Sequence, residues 1–254
     1  MTGRHPAPGG DSAAPGTPES RWQPWLAAQR WPEFAVDPTW RGALICAAHP
    51  DDDVLGVGGL MTALAEAGIG LRLLAATDGE GSHPGSRRVS PPQLARARIA
   101  ETADALDALG IRPVAATRLG LPDSGLQGHV AVLESAVTTC AAEVDVIVAP
   151  WAHDAHPDHE VLGRAALAAG AALGVPVLAF PVWTWQWAEP GDPRVPWNRA
   201  VRVSVADQQR AAKRVAIDCF GTQVRPLGPD PEDSAVLEPE MLAHFDRELE
   251  VLFR

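Results

Sequence analysis

No run of basic residues occurs anywhere in this chain, and its formal net charge is −11. Nucleic acid and anionic membrane surfaces need a cationic footprint, so neither is an expected partner. Lysine occurs once, as Lys213. No apolar stretch reaches about 18 residues without a breaker, so no membrane span is expected. The first residues lack a basic segment followed by an apolar one, so no secretory signal is expected either. Cysteine is scarce: Cys46, Cys140 and Cys219 lie far apart, without CxxC spacing. An odd, scattered set argues against a disulfide framework, and Cys46 reads as a small core residue. No internal repeat is visible. These absences leave a soluble cytoplasmic protein as the expectation, with a homo-oligomer left open.

What is present is 254 residues, 46% of them hydrophobic. That suffices for one large α/β domain. Residues 1–21 are rich in Pro, Gly, Ser, Thr and Ala, the composition of a disordered tail. Residues 22–254 then form a single domain, entered through an arm carrying Trp22, Trp25, Trp31 and Trp40. Short apolar runs alternate with amphipathic stretches. Strands are predicted over 42–48, 71–76, 113–118, 144–149, 176–180 and 200–205. Helices are predicted over 56–67, 91–109, 129–142, 159–173 and 206–219, with a last one near 239–252. This alternation predicts a three-layer αβα sandwich around a mainly parallel, Rossmann-like sheet. Trp183, Trp185 and Trp187 recur with period two, as in a strand with one aromatic face. Packing is the plain reading of that face; stacking on a sugar or an aromatic aglycone is the functional one.

Two clusters carry the chemistry. Ala48-His49-Pro50-Asp51-Asp52-Asp53 follows the first predicted strand, and His153-Asp154-Ala155-His156-Pro157-Asp158-His159 follows the fourth. Asp at a helix entry is an ordinary cap. Two strand ends that each carry His and Asp are harder to explain as unrelated caps, because ligands bind at the carboxyl edge of open α/β sheets. Adjacent carboxylates repel, and a divalent cation offsets the repulsion. If His49, Asp52 and His159 hold one ion, two imidazoles and a carboxylate suit Zn²⁺ with an open position for water. Asp51 then lies beside that water, placed to take its proton. Pro157 suits a first helical turn, and the helix dipole keeps His159 neutral. If His156 acts as an acid, a carboxylate such as Asp154 or Asp158 must hold its proton. Gly56-x-Gly58-Gly59 faintly resembles a dinucleotide loop but lacks the final glycine, and the acidic turn beside it repels a pyrophosphate. The glycine-rich loop from Gly79 to Arg88, with His83, follows a strand end and is read as a rim of the site or a plain surface loop. His153 is read as a loop residue, with a spare ligand as the alternative; His129 and His244 are read as surface or capping residues; Arg87-Arg88 is read as solvated, with a substrate phosphate as the alternative partner.

The paired motifs, with Thr77-Asp78-Gly79-Glu80, Arg98-Ile99-Ala100-Glu101 and Leu121-Pro122-Asp123-Ser124-Gly125, resemble the signatures of the PIG-L / LmbE-like family of zinc-dependent de-N-acetylases. The resemblance covers roughly residues 42–225. It implies an LmbE-like fold, with His49, Asp52 and His159 as metal ligands and Asp51 as general base. It further implies that His156 stabilises the oxyanion or helps protonate the leaving amine, and that Asp123 and Arg98 hold sugar hydroxyls. The implied cofactor is Zn²⁺, with Fe²⁺ as the alternative ion. The implied activity is removal of an N-acetyl group from an N-acetylated aminosugar of the N-acetylglucosamine type, in a small glycoside or secondary metabolite. An amidase cleaving a larger acyl group from a glucosamine conjugate, and a catalytically silent metal-binding relative, are the alternatives. Two departures stand out: Asp53 replaces the usual Glu, and Cys219-Phe220-Gly221-Thr222-Gln223 matches the family's late Ser-Gln element only loosely.

Overall fold

The computed structural model describes residues 16–254. The expected tail falls outside the described residues up to position 15. Its last part is corrected: helix α1 (Glu19–Ala28) begins inside it, with Glu19 buried against Arg247 and His244. Trp22 is fully buried, and its Nε1 donates to the carbonyl of Trp185 at 2.9 Å. With Trp25, Trp31, Trp185 and Trp197 it forms one aromatic cluster of edge-to-face and stacked pairs. Such pairs stabilise beyond the area they bury.

Five parallel strands follow, alternating with helices: β1 (Gly42–Ala47), α2 (Asp52–Glu66), β2 (Gly70–Thr77), α3 (Pro91–Ala108), β3 (Ala115–Leu121), α4 (Val130–Ala141), β4 (Val146–Pro150), α5 (Pro157–Leu173) and β5 (Val177–Phe180). Then come α6 (Thr184–Trp187), β6 (Ala200–Ser204), α7 (Asp207–Cys219), α8 (Gly221–Val224), α9 (Pro239–Leu242) and β7 (Leu249–Phe253). The strand order is β3-β2-β1-β4-β5-β7-β6, with β7 antiparallel to both its neighbours. All six residues of β1 are buried, as a central strand covered on both faces requires. Ala43 and Ile45 join the core under α2, while Leu44 and Cys46 join the core under α4 and α5. This is the expected sandwich. No helix among the described residues is long and apolar enough to cross a membrane.

Two expectations fail. The helix near 239–252 is only α9 and a 3₁₀ turn over Ala243–Phe245, after which β7 inserts between β5 and β6. Its backbone pairs on both sides, and Val251, Leu252 and Phe253 enter the core. Long-range pairing thus outweighs local helix preference. The Trp183–Trp187 stretch is the short helix α6 rather than a strand. Its first amides bond the Asp154 carboxylate.

Helix α2 is kinked at Val57. The amides of Gly59 and Leu60 donate instead to the Glu250 carboxylate at 2.7 and 2.9 Å, and Lys213 Nζ sits 2.6 Å from the same group. A Cβ at Gly56 would lie 2.2 Å from the Phe180 ring, and one at Gly59 2.7 Å from Val205. These glycines serve close packing rather than a phosphate. Because β2 and β3 lie on one side of β1 and β4 and β5 on the other, the order in which strands are added reverses between β1 and β4. The loops that follow those two strands therefore open side by side, at the crevice where open sheets bind ligands.

Candidate active site

The two helices beneath this crevice start earlier than predicted, inside the motifs. Asp52 opens α2, and its Oδ2 accepts the His49 amide at 2.8 Å. Pro157 opens α5, with His156 as its cap: the Asp158 amide donates to His156 Nδ1 at 3.2 Å. Among the described residues three non-glycines have positive φ: Asp51 (137°) and Ala155 (66°) in these two loops, and Ser124 (63°) in the loop after β3. Strain held at one sheet edge is a mark of a functional site.

The structure brings His49, His156 and His159 together, with ring nitrogens within 4.8 Å of one another. All three are buried. Asp52 sits between two of them: Oδ1 is 3.1 Å from His159 Nε2, and Oδ2 is 3.5 Å from His49 Nδ1. The outward nitrogens are backed by further carboxylates. His159 Nδ1 lies 2.8 Å from Asp154 Oδ2, and His49 Nε2 lies 3.2 Å from Asp158 Oδ2 and 3.3 Å from Asp123 Oδ1. His159 Nε2 is buried and makes no hydrogen bond, since its approach to Asp52 is misaligned. With the ring's proton on Nδ1, a lone pair on Nε2 meets an acidic oxygen. A cation is what both atoms fit.

The electrostatics agree. Burial alone would lower the His159 pKa, but the Asp52 charge and the Asp154 bond raise it to about 9. Burial also opposes charging His49, yet Asp123, Asp158 and Asp52 together hold it well above the usual imidazole value. Asp52 is held well below the ordinary carboxylate value despite burial, through His159 and His49. An excess of buried carboxylates thus attracts positive charge to the two imidazoles, and a divalent ion supplies the same charge without protons.

Asp51 stands apart from the three histidines' contacts. Burial lifts its carboxyl to about 7, the neighbouring Asp52 and Asp53 add to that, and Arg98 opposes it. Asp53 accepts the Val54 amide at 2.9 Å, and burial raises it to about 6.

Asp123 lies at the site: Oδ2 accepts the Gly81 amide at 3.0 Å, while Oδ1 approaches His49. Arg98 departs from its expected position. It is only 2% exposed, and its guanidinium donates to the carbonyls of Gly79 (3.0 Å) and Pro50 (2.6 Å) and to Asp51 Oδ2 (3.1 Å). It supports Asp51 and has almost no exposed surface to offer a sugar.

Two motif carboxylates also differ from their expected use. Asp154 faces His159, and Asp158 faces His49. Asp158 accepts from the amides of Ser124 (2.8 Å) and Leu126 (3.1 Å) as well as facing His49. Sequence reasoning missed these backing roles. Their one signal was acidic residues at the start of a helix whose own cap is a histidine. His244 is another correction: it is buried against Glu19 rather than at the surface. Trp183 stacks on His156, centroids 6.0 Å apart at 27°. The Gly79–Arg88 loop rims the site and is tied down by Ser86 and Arg88 on Asp233 and by Gln223 on Ser82.

Residues 44–170, half of the chain, match the model of the PIG-L family, GlcNAc-PI de-N-acetylase. The 1D-myo-inositol 2-acetamido-2-deoxy-alpha-D-glucopyranoside deacetylase of Kineococcus radiotolerans is 43% identical over 74 residues, 28% of this chain and 20% of that protein. Diacetylchitobiose deacetylase of Thermococcus kodakarensis is 33% identical over 133 residues, 50% of this chain and 48% of that protein. The chain therefore spans less than half the length of these curated relatives. Among solved structures, A40926 pseudoaglycone deacetylase superposes with a TM-score of 0.60 at 22% identity, covering 85% of this chain and 97% of that one. N,N'-diacetylchitobiose deacetylase of Pyrococcus horikoshii gives 0.55 at 21% identity, covering 72% of each chain. At these identities the structural likeness speaks for the fold.

Proposed function

The chain belongs to the PIG-L family of GlcNAc-PI de-N-acetylases, and from that premise we propose that it is a zinc-dependent hydrolase removing the N-acetyl group from an N-acetylated aminosugar. The observation that carries the reading is His159 Nε2. It is buried, without a hydrogen bond and 3.1 Å from Asp52 Oδ1, with the Asp51 carboxylate one residue away. His49, Asp52 and His159 would hold the ion. When bound, it supplies Lewis acidity toward the acetamide carbonyl and lowers the pKa of water at the site toward about 7.

The chain's own groups do the rest. Asp51 takes a proton from the attacking water as its oxygen bonds the carbonyl carbon. Its raised pKa makes it a base that can also return that proton to the leaving nitrogen near neutral pH. His156 accepts the Asp158 amide at Nδ1, so a neutral ring carries its proton on Nε2. It therefore donates a hydrogen bond to the oxyanion without needing a positive charge. The C–N bond then breaks, giving acetate and a free amine. Asp123, beside His49 at the site, would accept a sugar hydroxyl.

Acetate release from a panel of N-acetylglucosaminides, with and without added zinc, tests the reading. Zinc-dependent release that ceases on chelation is the expected result. Equal or faster release from substrates with longer acyl chains would turn the reading toward a larger-acyl amidase. No turnover of any N-acyl aminosugar by fully zinc-loaded protein would overturn it.

A further inference from the structure

We propose that Asp154 is the positioning residue of the metal centre, one buried carboxylate that fixes both the ligand nitrogen of His159 and the Trp183 segment stacked on His156. The inference rests on His159 being a metal ligand.

Asp154 is fully buried, and among the described residues no lysine or arginine pairs with it. A buried anion without a cationic partner survives only if hydrogen bonds fill its oxygens. Here they do. Oδ1 accepts the Thr184 amide (2.8 Å), the Thr184 hydroxyl (2.5 Å) and the Val182 amide (3.1 Å). Oδ2 accepts the Trp183 amide (2.9 Å) and faces His159 Nδ1 (2.8 Å). Every one of these partners is a donor. The His159 proton is therefore drawn to Nδ1, which turns the lone pair of Nε2 toward Asp52.

The amide donors come from three successive residues, Val182, Trp183 and Thr184, where the loop after β5 enters α6. The same carboxylate thus holds that loop in the crevice and sets the Trp183 indole against the His156 ring. Trp187 Nε1 adds a bond to the Asp154 carbonyl at 3.1 Å. His49 has a matching support in Asp158, anchored by the amides of Ser124 and Leu126. An asparagine at 154 cannot substitute. Whichever way its amide is turned, its NH₂ meets either the Thr184 donors or the His159 N–H.

Zinc affinity of the metal-stripped protein, measured by competition with a chromogenic chelator, tests this. Asp154→Asn should bind zinc about 10- to 100-fold more weakly. Thr184→Val, which removes one donor from Oδ1 and spares the oxygen facing His159, should stay within about twofold on the same scale. ¹⁵N-histidine NMR of the unaltered, zinc-loaded protein should find the His159 proton on Nδ1, and this measurement holds even if Asp154→Asn does not fold. Unchanged zinc affinity in folded Asp154→Asn overturns the proposal. So does equal weakening by Thr184→Val, or a His159 proton on Nε2. If unaltered protein binds no zinc, or His159→Ala binds it equally well, the metal reading itself is wrong, a result separate from these.

Discussion

Arg98 Nη2 lies 3.1 Å from the Asp51 carboxylate and 2.6 Å from the Pro50 carbonyl, so one buried guanidinium fixes both the side chain and the preceding backbone of the proposed base. Asp51 holds φ at 137°, a conformation that needs such support. A lysine cannot reproduce the fork. Arg98→Lys should lower stability by about 2 kcal/mol and reduce kcat, with KM little changed because the side chain does not reach substrate. Denaturant unfolding and steady-state kinetics measure the two effects. A raised KM with kcat intact would restore Arg98 to a sugar-binding role.

Asp51→Asn should retain zinc and lose activity by about 10²- to 10⁴-fold, the usual contribution of a positioned base. Metal analysis beside the acetate assay separates the two effects. Near-normal turnover would remove Asp51 from proton transfer.

His156 shares its surroundings with two proposed ligands but has its Nδ1 occupied by the Asp158 amide. His156→Gln should therefore keep one zinc per chain while kcat falls by about 10²- to 10³-fold, as for loss of an oxyanion donor. Loss of zinc from this variant would make His156 a ligand instead.

The metal-stripped protein should be pH-sensitive in a particular direction. The His159 pKa is raised from 6.5 to about 9 in the fold. A group whose folded pKa is raised stabilises fully below its unfolded value, and that stability is lost as pH rises through the folded value. Metal-free protein should thus lose stability between about pH 6.5 and 9, while zinc-loaded protein, whose His159 is already unprotonated, should not. Thermal melts across that range decide the matter; parallel profiles for the two forms would refute it.

Glu19 shows the opposite sign at the other side of the molecule. Burial would raise its carboxyl, but hydrogen bonds from Arg247 and His244 prevail and lower it. Its contribution is present above the ordinary value of 4.5 and is lost as pH falls through the folded value. Acid should therefore loosen α1 and expose Trp22, shifting tryptophan emission to the red. Glu19→Gln should give the same shift at neutral pH, and an unchanged spectrum in that variant would show that the aromatic cluster holds α1 alone.

The parts of the fold legible in the sequence were those set by local pattern. The uniformly apolar run of β1 and the motif after it marked a sheet edge, and His49, Asp52 and His159 stood out as candidates because each lies in or just after a strand-to-helix turn. Residues whose partners lie far along the chain were misread. Arg98 looked available because nothing near it in sequence reveals that Pro50 and Gly79 surround it. Leu249–Phe253 looked helical because the two strands that claim it are β5 and β6, and α6 is a helix because a carboxylate some thirty residues earlier takes its first amides. Asp154 and Asp158 could be recognised as acidic, but which imidazole each supports depends on where the chain turns.

Adjacency of β1 and β4 brings together segments about a hundred residues apart. An ion clasped by His49 from one and His159 from the other would act as a removable cross-link across the middle of the sheet. Any partial opening that parted those strands would release it. Ion exchange and global unfolding should then proceed on related timescales, and free zinc should slow hydrogen exchange most in the strands that the clasp joins.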